Sequence, residues 1–430
     1  MSSDSRPADP ATSVATLDNG VRVVCIQLPY LEAVSVSVFV RSGSQHESTR
    51  QNGISHVVEH MAFKGTHERD CQRINLDAER LGAEVNAHTD KEHTAFHMRG
   101  LPEHAGRLIR MLGDIVQNST FPEAELERER QVILQEYAED EDDALAAAFR
   151  LFDKACYGDH PLAQPVIGTR RNIGHFKRGD LLDYVQHQYT GSNLIVAVAG
   201  RVDAGAIVDA AQQAFGAMPR GSENRVAAPE YAGGLRTRRM AGSSQTHVVL
   251  GFPIPRLAEE HHASVVAAAL FGEGMSSPLM DQIRERRGLV YYAACSADVM
   301  ELGGQFVIEA SLAPEHLDEF FTEVMRLLAE HTRDIDAVGL DRARNQLMVR
   351  SLLAQERPSR RLEAAAQDLF VHGRIRSEAA WRARIAAVSA EQVRTAFARM
   401  LAAPAAVAVT GKLGSGAKER VQQHIASCGA

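Results

Sequence analysis

The sequence predicts an α+β protein built from two copies of one folding unit. Segments with the alternating pattern of half-buried strands are interspersed with segments of helical periodicity. A pattern in the first half of the chain returns about 208 to 215 residues later, as it does in a duplicated unit. The length of 430 residues, 45% of them hydrophobic, is enough for more than one buried core.

Two strands and a histidine-containing helix open the first half. Residues 1–16 are polar, and we expect them to form a loose arm that is neither a secretory signal nor a transit peptide. An Asn-Gly turn at residues 19–20 leads into the first strand. Ala33–Arg41 alternates between small polar and apolar residues, which predicts a half-buried strand. The loop that follows leads into a helix that carries His56 and His60.

The next segments alternate between helices and a pair of strands. A helix over about Cys71–Leu81 ends at Gly82, a residue typical of helix ends. Two strands, Glu84–Asp90 and His93–Arg99, are joined by a tight turn. Residues 102–118 follow with apolar side chains at helical spacing. These residues supply two helices and a strand pair to the first unit.

A long helix and a buried strand complete the first unit. Pro122 starts the helix, which we expect to continue through Glu136 towards Ala148. Its acidic run at residues 139–143 is typical of a solvated face or a helix end, and an acidic patch for basic peptides is the alternative. Residues 193–200 form a buried strand that closes the first half.

The second half repeats the first after a linker that contains glycines and prolines. For example, residues 102–104 and 314–316 both read Pro-Glu-His. The repeat predicts four segments along the chain: an arm at 1–16, a first domain at 17–217, a linker at 218–242 and a homologous second domain at 243–430.

The two copies differ where polar side chains of the first copy cluster. Five polar residues of the first copy are not repeated in the second: His56, Glu59, His60, Glu129 and Glu136, which stand opposite Ser264, Ala267, Ala268, Ala343 and Arg350. The fold does not need these polar groups, because the second copy does without them. Their presence in the first copy is better explained by chemistry than by packing.

Composition and charge argue against several classes of function. The chain has 47 basic and 55 acidic residues, and its net charge of -8 disfavours nucleic acid as the principal partner. No apolar run approaches the ~18–20 residues of a membrane span. The five cysteines are widely spread, so neither a disulfide framework nor a thiolate metal site is expected. We therefore expect a cytoplasmic protein, or one from another reducing compartment such as a mitochondrial matrix.

His56, Glu59 and His60 form an H-x-x-E-H arrangement. Residues four apart on a helix lie one above the other, about 6 Å apart along the axis. Two neutral imidazoles so placed can hold one Zn²⁺ at about 2.0–2.1 Å each. Glu59 flanks the same face and can act as a base towards a water at the metal. The alternative is an ordinary half-buried helix.

A third ligand must come from another helix. Glu129 and Glu136 lie seven residues apart on the predicted long helix, nearly on one face but ~10.5 Å apart along it. The two carboxylates cannot easily share one ion over that distance. One should be a ligand, and the other should hydrogen-bond to a ligand or orient the substrate.

These motifs resemble those of the inverzincin zinc peptidases, the family of pitrilysin, insulin-degrading enzyme and the β subunit of mitochondrial processing peptidase. The resemblance rests on H-x-x-E-H at 56–60 and on Glu-Arg-Gln-Val-Ile-Leu-Gln-Glu at 129–136, and it runs from about Leu17 into the final hundred residues. It implies that Glu136 is the third ligand of one zinc ion per chain and that Glu129 is a supporting glutamate needed for activity. It also implies two domains, each a mostly antiparallel sheet with helices packed on one face.

The same resemblance implies the substrate contacts. Asn86 and Ala87 match an edge strand whose Asn-Ala pair binds the substrate backbone, so that an extended peptide adds to the open edge of the sheet. Arg284, on a predicted helix, and Tyr291, on a predicted strand, match an Arg and a Tyr that contact the substrate carbonyl near the zinc. Tyr292 is an adjacent candidate, but the spacing favours Tyr291.

A zinc endopeptidase for peptides or unfolded segments, enclosed in a chamber, is the function that the resemblance implies. Glu59 is then the general base, and Arg284 and Tyr291 stabilise the oxyanion. The short members pair two chains, and this chain carries both residue sets, so we expect a homodimer. The alternatives are a zinc subunit of a heterodimeric processing peptidase and an inactive scaffold or partner subunit. The sequence leaves open the cleavage preference, the natural substrate and the metal used in the cell.

Overall fold

The computed structural model describes residues 11–426, in which the chain forms two compact units. The first unit contains the residues up to Tyr137 together with Pro165–Val226 and Ala354–Ile375. The second contains Ala138–Gln164, Ala227–Leu353 and the described residues from Arg376 onwards. Each half of the chain therefore contributes one segment to the unit that is built mainly from the other half.

The first half of the chain contains strands β1–β6 and helices α1–α8. In chain order they are β1 (Thr12–Thr16), β2 (Arg22–Gln27), β3 (Val34–Val40), α1 (Ile54–Ala62), α2 (Cys71–Arg80), β4 (Glu84–Thr89), β5 (Thr94–Gly100), α3 (Ala105–Asn118), α4 (Glu123–Asp142), α5 (Ala144–Tyr157), α6 (Arg170–His175), α7 (Arg178–Gln188), β6 (Leu194–Gly200) and α8 (Ala204–Phe215). Short 3₁₀ turns occur at Ser44–His46, Pro102–His104, Pro161–Ala163 and Gly191–Asn193.

The second half contains strands β7–β11 and helices α9–α15. They are β7 (Gly234–Arg239), β8 (Thr246–Ile254), α9 (His262–Gly272), β9 (Val290–Val299), β10 (Gly304–Leu312), α10 (Leu317–His331), α11 (Ala337–Gln355), α12 (Pro358–His372), α13 (Glu378–Ala387), α14 (Ala390–Leu401), β11 (Ala406–Gly411) and α15 (Ala417–Ile425). A wide helical turn of π type covers Leu279–Glu285, and a 3₁₀ turn covers Pro314–His316.

The sheet of the first unit has six strands in the order β1-β2-β6-β3-β5-β4. Only the β2–β6 pair is parallel, and the other neighbours are antiparallel. Along β3, Val36 and Val38 face the core formed with α1 and α3, whereas Phe39 faces the opposite side, as the period of two requires. The hairpin strand β4 lies at the edge of this sheet.

The sheet of the second unit repeats this plan with five strands in the order β7-β11-β8-β10-β9. Again one pair, β7–β11, is parallel and the rest are antiparallel. The two Pro-Glu-His segments each form a 3₁₀ turn that leads into a long helix, α3 in one copy and α10 in the other. The structure thus confirms the predicted α+β fold and the duplication.

The exchanged segments are helices that cover a sheet face. In the first unit, Leu362 and Leu369 of α12 pack against Phe39 and Ile195, on the face opposite to α1. In the second unit, α5 packs on β7, β8 and β11. Gly251 of β8 lies so close to α5 that a Cβ there would be 2.6 Å from the ring of Phe152. A side chain at this position would displace the helix.

Three of the predicted boundaries are corrected by the structure. Residues 12–16 of the expected arm form β1, which pairs with β2, while residues 1–10 lie outside the described part of the chain. The expected linker contains β7. The long helix stops at Asp142, because the Asp143 side chain accepts hydrogen bonds from the amides of residues 145 and 146 and so caps a new helix, α5. The acidic run is therefore a helix end, as one of the two interpretations expected.

Residues 11–426 contain neither a helix that could span a membrane nor a disulfide bond. None of the helices there combines the length and the apolar character that crossing a membrane requires. The four cysteines in this part of the chain are free thiols: Cys25, Cys71, Cys156 and Cys295. The expectation of a reducing compartment is compatible with these thiols and stays a prediction.

Candidate active site

A buried carboxylate fixes the start of α1. Glu47 accepts hydrogen bonds from the backbone N–H of Gly53 at 2.7 Å, from that of Ser55 at 2.8 Å and from the side chain of Asn52 at 3.0 Å. It thereby satisfies amides that a helix N-terminus leaves without partners. Gly53 has a φ of 98°, and a Cβ there would lie 2.8 Å from the Cα of Gly168. Glycine is required at this position for both reasons.

The residues of α1 divide into an apolar face and a polar face. The apolar face is buried in the core of the first unit and comprises Ile54, Val57, Val58 and Met61. The spacing of these residues leaves His56, Glu59 and His60 together on the other side, where all three are half-buried. The core packing of α1 therefore orients the H-x-x-E-H side chains.

The structure brings His56, His60 and Glu136 together. The Oε2 atom of Glu136 lies 3.8 Å from His56 Nε2 and 3.5 Å from His60 Nε2, and one ligand atom from each residue falls within 4.8 Å of the others. Tetrahedral zinc with bonds of about 2.0–2.1 Å places its ligand atoms roughly 3.3–3.4 Å apart. Burial, assisted by the neighbouring His60, lowers the pKa of His56 to about 4, which keeps its imidazole neutral. The donor set and its spacing fit a zinc ion.

Glu129 occupies a different position from Glu136. Its Oε2 lies 3.2 Å from His60 Nδ1, and its Oε1 lies 2.6 Å from the ammonium of Lys64. Burial opposes ionisation of Glu129, but its bonds to Lys64 and His60 outweigh burial and hold its pKa below the usual value. A carboxylate at Nδ1 fixes the tautomer in which Nε2 carries the lone pair. Glu129 is therefore placed to support His60, and Glu136 is placed where a third ligand would lie.

Glu59 is held beside the histidines by the hairpin strand β4. The hydroxyl of Thr89, the last residue of β4, donates a hydrogen bond of 2.6 Å to Glu59 Oε2. Burial raises the pKa of Glu59, although the Thr89 bond works in the opposite direction. A carboxylate with a raised pKa is a stronger base than a solvated one, and general-base catalysis favours that property.

The predicted substrate-binding pair lies on the same strand. Asn86 and Ala87 sit midway along β4, at the edge of the sheet, and Asn86 pairs with His97 of β5. The Asn86 side chain is exposed, and its Oδ1 accepts a 2.9 Å hydrogen bond from the Ala87 amide. Because β4 also carries Thr89, one strand provides both the exposed edge and the hydrogen-bond donor to Glu59 of α1.

The predicted Arg and Tyr lie in the second unit. Arg284 is exposed on the π-type turn, 3.8 Å from the sulfur of Met275. Tyr291 lies near the start of the edge strand β9, where the pairing with β10 is irregular, and it is 63% exposed. The hydroxyl of Tyr292 donates a hydrogen bond to Glu309 at 2.8 Å. Tyr291 has no such partner among the described residues, so its hydroxyl is the available one of the two.

The second copy lacks the metal set in space as it does in sequence. Ala267 and Ala268 are buried within α9, and Ala343 is fully buried in α11. Arg350, which stands opposite Glu136 in the repeat, has a cation in place of a carboxylate and forms an ion pair with Glu273 at 3.1 Å. The positions that carry the polar set in the first unit are thus occupied by buried alanines and a cation in the second.

Three residues of the site were not assigned from the sequence: Lys64, Thr89 and Glu47. Lys64 follows His60 by four residues, so helical spacing was an available signal for it. Thr89 lies in the predicted strand Glu84–Asp90, but only the tertiary contact between α1 and β4 reveals its hydrogen bond to Glu59. Glu47 carries no sequence signal, because its partners lie where a loop joins α1, and the sequence does not specify the path of that loop.

Comparison with known protein families gives two matches that together cover most of the chain. Residues 22–170 match the family described as Insulinase (Peptidase family M16), and residues 175–347 match the one described as Peptidase M16 inactive domain. The first match contains the His56, His60 and Glu136 set, and the second contains Arg284 and Tyr291.

Individual relatives agree with these matches. A protein of Rickettsia felis named as an uncharacterized zinc protease is 32% identical over 365 residues, covering 84% of this chain and 88% of the relative. Subunit 1 of the bovine mitochondrial cytochrome b-c1 complex is 30% identical over 403 residues, covering 90% of this chain and 83% of the relative. The structure of a protease from Helicobacter pylori has the same fold, with a TM-score of 0.84 at 20% identity, covering 94% of this chain and 100% of that chain. The chain therefore belongs to the M16 (insulinase) family of zinc peptidases, with an active-type first part and an inactive-type second part.

Proposed function

We propose that this protein is a zinc-dependent endopeptidase that hydrolyses peptides or unfolded segments. The observation that carries the proposal is the convergence of His56, His60 and Glu136 beside Glu59. His56, His60 and Glu136 would hold the ion, with Glu129 fixing His60. Zinc supplies Lewis acidity, which makes water a usable nucleophile near neutral pH and polarises a peptide carbonyl.

Glu59 is the proposed general base. Its carboxylate takes a proton from the attacking water and later delivers it to the leaving amine. The raised pKa of Glu59, caused by burial, favours the first step, and the hydrogen bond from Thr89 fixes the direction of the carboxylate. One residue can perform both transfers because the proton acceptor of the first step is the proton donor of the second.

The remaining residues are proposed to position the substrate and stabilise charge. An extended peptide would add to β4 at Asn86 and Ala87, where main-chain hydrogen bonds hold any sequence in the same register. Arg284 and Tyr291 would donate hydrogen bonds to the carbonyl oxygen as it becomes an oxyanion, a role worth on the order of 3–4 kcal/mol per donor in comparable sites. The exposure of both side chains supports this role.

We also propose a homodimer whose two chains enclose the substrate. The chain itself carries both the metal set and the Arg284 and Tyr291 set, so two copies have every residue needed for two sites. Light scattering should then give a mass near twice 46.9 kDa for the active species. Unfolded polypeptides should be cleaved and tightly folded proteins should not, since an enclosed site admits only extended chain.

Metal removal is the first test of the proposed activity. Treatment with a chelator should abolish cleavage of an unstructured peptide, and Zn²⁺ added back to the chelated protein should restore it, because the catalytic water depends on the ion. A purified protein that cleaves equally well after complete metal removal would contradict the proposal.

The similarity to a cytochrome b-c1 subunit supports a second candidate, an inactive scaffold or partner subunit. The presence of His56, Glu59, His60 and Glu136 argues against it, since a scaffold has no use for a polar metal set on α1. A zinc subunit that depends on a different partner chain is the third candidate. The mass of the active species separates these cases, since an active dimer of this chain alone excludes both.

A further inference from the structure

A second cluster of metal-type ligands lies outside the candidate active site, where the β4–β5 turn meets α12. The ligand atoms of His88, Asp90 and His93 lie within 4.8 Å of one another. The Nδ1 atom of His93 is 3.2 Å from Asp90 Oδ2. Glu363 of α12 lies beside His88, its Oε1 3.9 Å from His88 Nε2, and is a candidate for a fourth donor. All four residues belong to the first unit.

The distance between His88 and Glu363 is informative. A separation of 3.9 Å is too long for a hydrogen bond. It is a few tenths of an ångström longer than the roughly 3.3–3.5 Å between ligand atoms of a tetrahedral ion with nitrogen and oxygen ligands. A small movement of the Glu363 side chain would therefore bring the two atoms to ligand spacing.

The second ring nitrogen of His88, Nδ1, has a hydrogen-bond partner of its own. His88 Nδ1 lies 3.0 Å from His97 Nε2, and His97 Nδ1 lies 2.8 Å from the hydroxyl of Ser37. In the arrangement where each Nδ1–H donates along this chain, to His97 and then to Ser37, His88 Nε2 carries a lone pair that faces Glu363. Metal-binding histidines typically have such a partner at the second ring nitrogen.

The turn residues are held rigidly. Asp90 Oδ1 accepts hydrogen bonds of 2.7 Å from the amides of both Glu92 and His93, which fixes the carboxylate and leaves Oδ2 towards the His93 ring. His93 is only 7% exposed, and its Nε2 is buried without a hydrogen-bond partner. Burial lowers the pKa of His93 and lowers that of His97 to about 4, so these rings are neutral under ordinary conditions.

We propose that His88, Asp90, His93 and Glu363 form a second metal site, for a late first-row divalent ion such as Zn²⁺, that fastens the β4–β5 turn to α12. Imidazole with carboxylate is a donor set that suits these ions. A groove of about 780 Å³, whose lining includes His88, His97 and Glu363, gives an ion access from solvent to the side of the cluster that faces α12. The site shares no ligand with the His56, His60 and Glu136 set, so zinc binding there can be measured whether or not the protein is a peptidase.

Equilibrium dialysis against Zn²⁺ tests the proposal by measuring the number of zinc ions bound per chain. The wild-type chain should bind two equivalents, and the double variant His56→Ala, His60→Ala should bind one. In either background, Glu363→Gln should weaken binding at the second site at least about tenfold, and His93→Gln should abolish it. A double variant that binds no zinc would overturn the proposal.

Arg360→Gln is the matched control. Arg360 pairs with Glu363 at 2.9 Å, so this change disturbs the same helix surface and the same carboxylate without removing a proposed ligand. It should leave the stoichiometry unchanged. Glu363→Gln changes a partly exposed side chain without changing its size, so the variant should fold. It therefore tests the proposed site even if a histidine variant fails to fold. Unchanged zinc binding in Glu363→Gln would also overturn the proposal.

An independent readout is the thermal unfolding of the double variant. Added Zn²⁺ should raise its melting temperature in proportion to the logarithm of the free zinc concentration, because an ion that binds only the folded chain stabilises it. Glu363→Gln should reduce the increase and Arg360→Gln should not. An increase of the same size in all three proteins would overturn the assignment to these residues.

Discussion

At the scale of single residues, the two glutamates of α4 make different contacts although both face α1. Glu136 Oε2 is within 3.8 Å of both histidine Nε2 atoms, whereas Glu129 contacts the rear nitrogen of His60. The sequence predicted that one of them is a ligand and the other a support; the two positions are compatible with this division, which stays a prediction. Only the resemblance to a known family indicated which was which, because seven-residue spacing treats both alike.

Glu129→Gln should weaken zinc binding without abolishing it. The amide cannot accept the hydrogen bond from His60 with the strength of a carboxylate, and it leaves the Lys64 ammonium without its 2.6 Å partner. We expect a 10–100-fold loss of zinc affinity, measured by competition with a chelator of known affinity.

Glu127→Gln is the control for that prediction. Glu127 lies on the same helix and pairs with Arg130 at 3.0 Å, but it is exposed and has no contact with the histidines. Its substitution should leave zinc affinity unchanged. Equal affinities for the wild-type, Glu129→Gln and Glu127→Gln proteins would show that Glu129 has no supporting role.

At the scale of elements, patterns local to a few turns were predictable and their ends were less so. Helix α1, helix α3 and the β4–β5 hairpin follow from periodicity and turn residues. The break at Asp143 was missed, because an acidic residue continues a helical pattern as readily as it caps a new helix. Strand β7 was missed since its residues, Gly234–Arg239, are mostly polar, and its partner β11 lies far away in sequence.

Glu47→Ala should destabilise the protein and the metal centre together. The substitution leaves the amides of Gly53 and Ser55 buried without acceptors, and each such group costs up to about 3 kcal/mol. We expect a loss of roughly 2–3 kcal/mol in the free energy of unfolding, measured with urea on metal-free protein. Zinc affinity should also fall, since the start of α1 loosens.

A comparison with the cap of α2 tests the reason for this loss. Asp70 caps α2 by accepting from the Arg73 amide at 2.7 Å, at an exposed site. Asp70→Ala should cost only about 1 kcal/mol and leave zinc affinity unchanged. If both variants lost the same stability and both bound zinc normally, Glu47 would be an ordinary cap with no part in positioning the site.

At the scale of the whole molecule, the exchange of α5 and α12 between the two units was beyond the reach of sequence patterns. Both helices have ordinary amphipathic sequences, and nothing in Leu362 or Phe152 specifies which sheet they cover. That choice depends on packing between residues hundreds of positions apart, such as Leu369 with Phe39. The duplication was visible because it leaves similar segments at a constant offset, whereas an exchange of segments leaves no such mark.

The free energy of unfolding should decrease as the pH falls below about 6.5, the ordinary pKa of histidine. Burial, with a contribution from the Arg41 charge, lowers the pKa of His46 to about 3. Between an unfolded-state pKa of about 6.5 and this value, the unfolded chain binds a proton that the folded chain does not, so acid favours unfolding. His46→Gln should remove this proton uptake on unfolding. The free energy of unfolding lost between about pH 6.5 and pH 5 should then be smaller by roughly 1–2 kcal/mol than in wild type.

Urea unfolding of chelated protein at several pH values measures this difference. The comparison with wild type isolates His46 from groups such as Glu47, whose pKa is raised by burial and whose effect on stability has the opposite sign. His175, which is exposed, provides the control, and His175→Gln should follow the wild-type curve. Parallel curves for wild type and His46→Gln would contradict the prediction.

The central claim is that α1 and α4 assemble a zinc site at which Glu59 acts as the base. Peptide cleavage by zinc-loaded Glu59→Gln tests it most directly, with metal content measured on the same sample. We predict that this variant retains zinc at the His56, His60 and Glu136 site and loses cleavage, while His56→Ala loses both. A Glu59→Gln protein that still cleaves peptides at the wild-type rate would contradict the account.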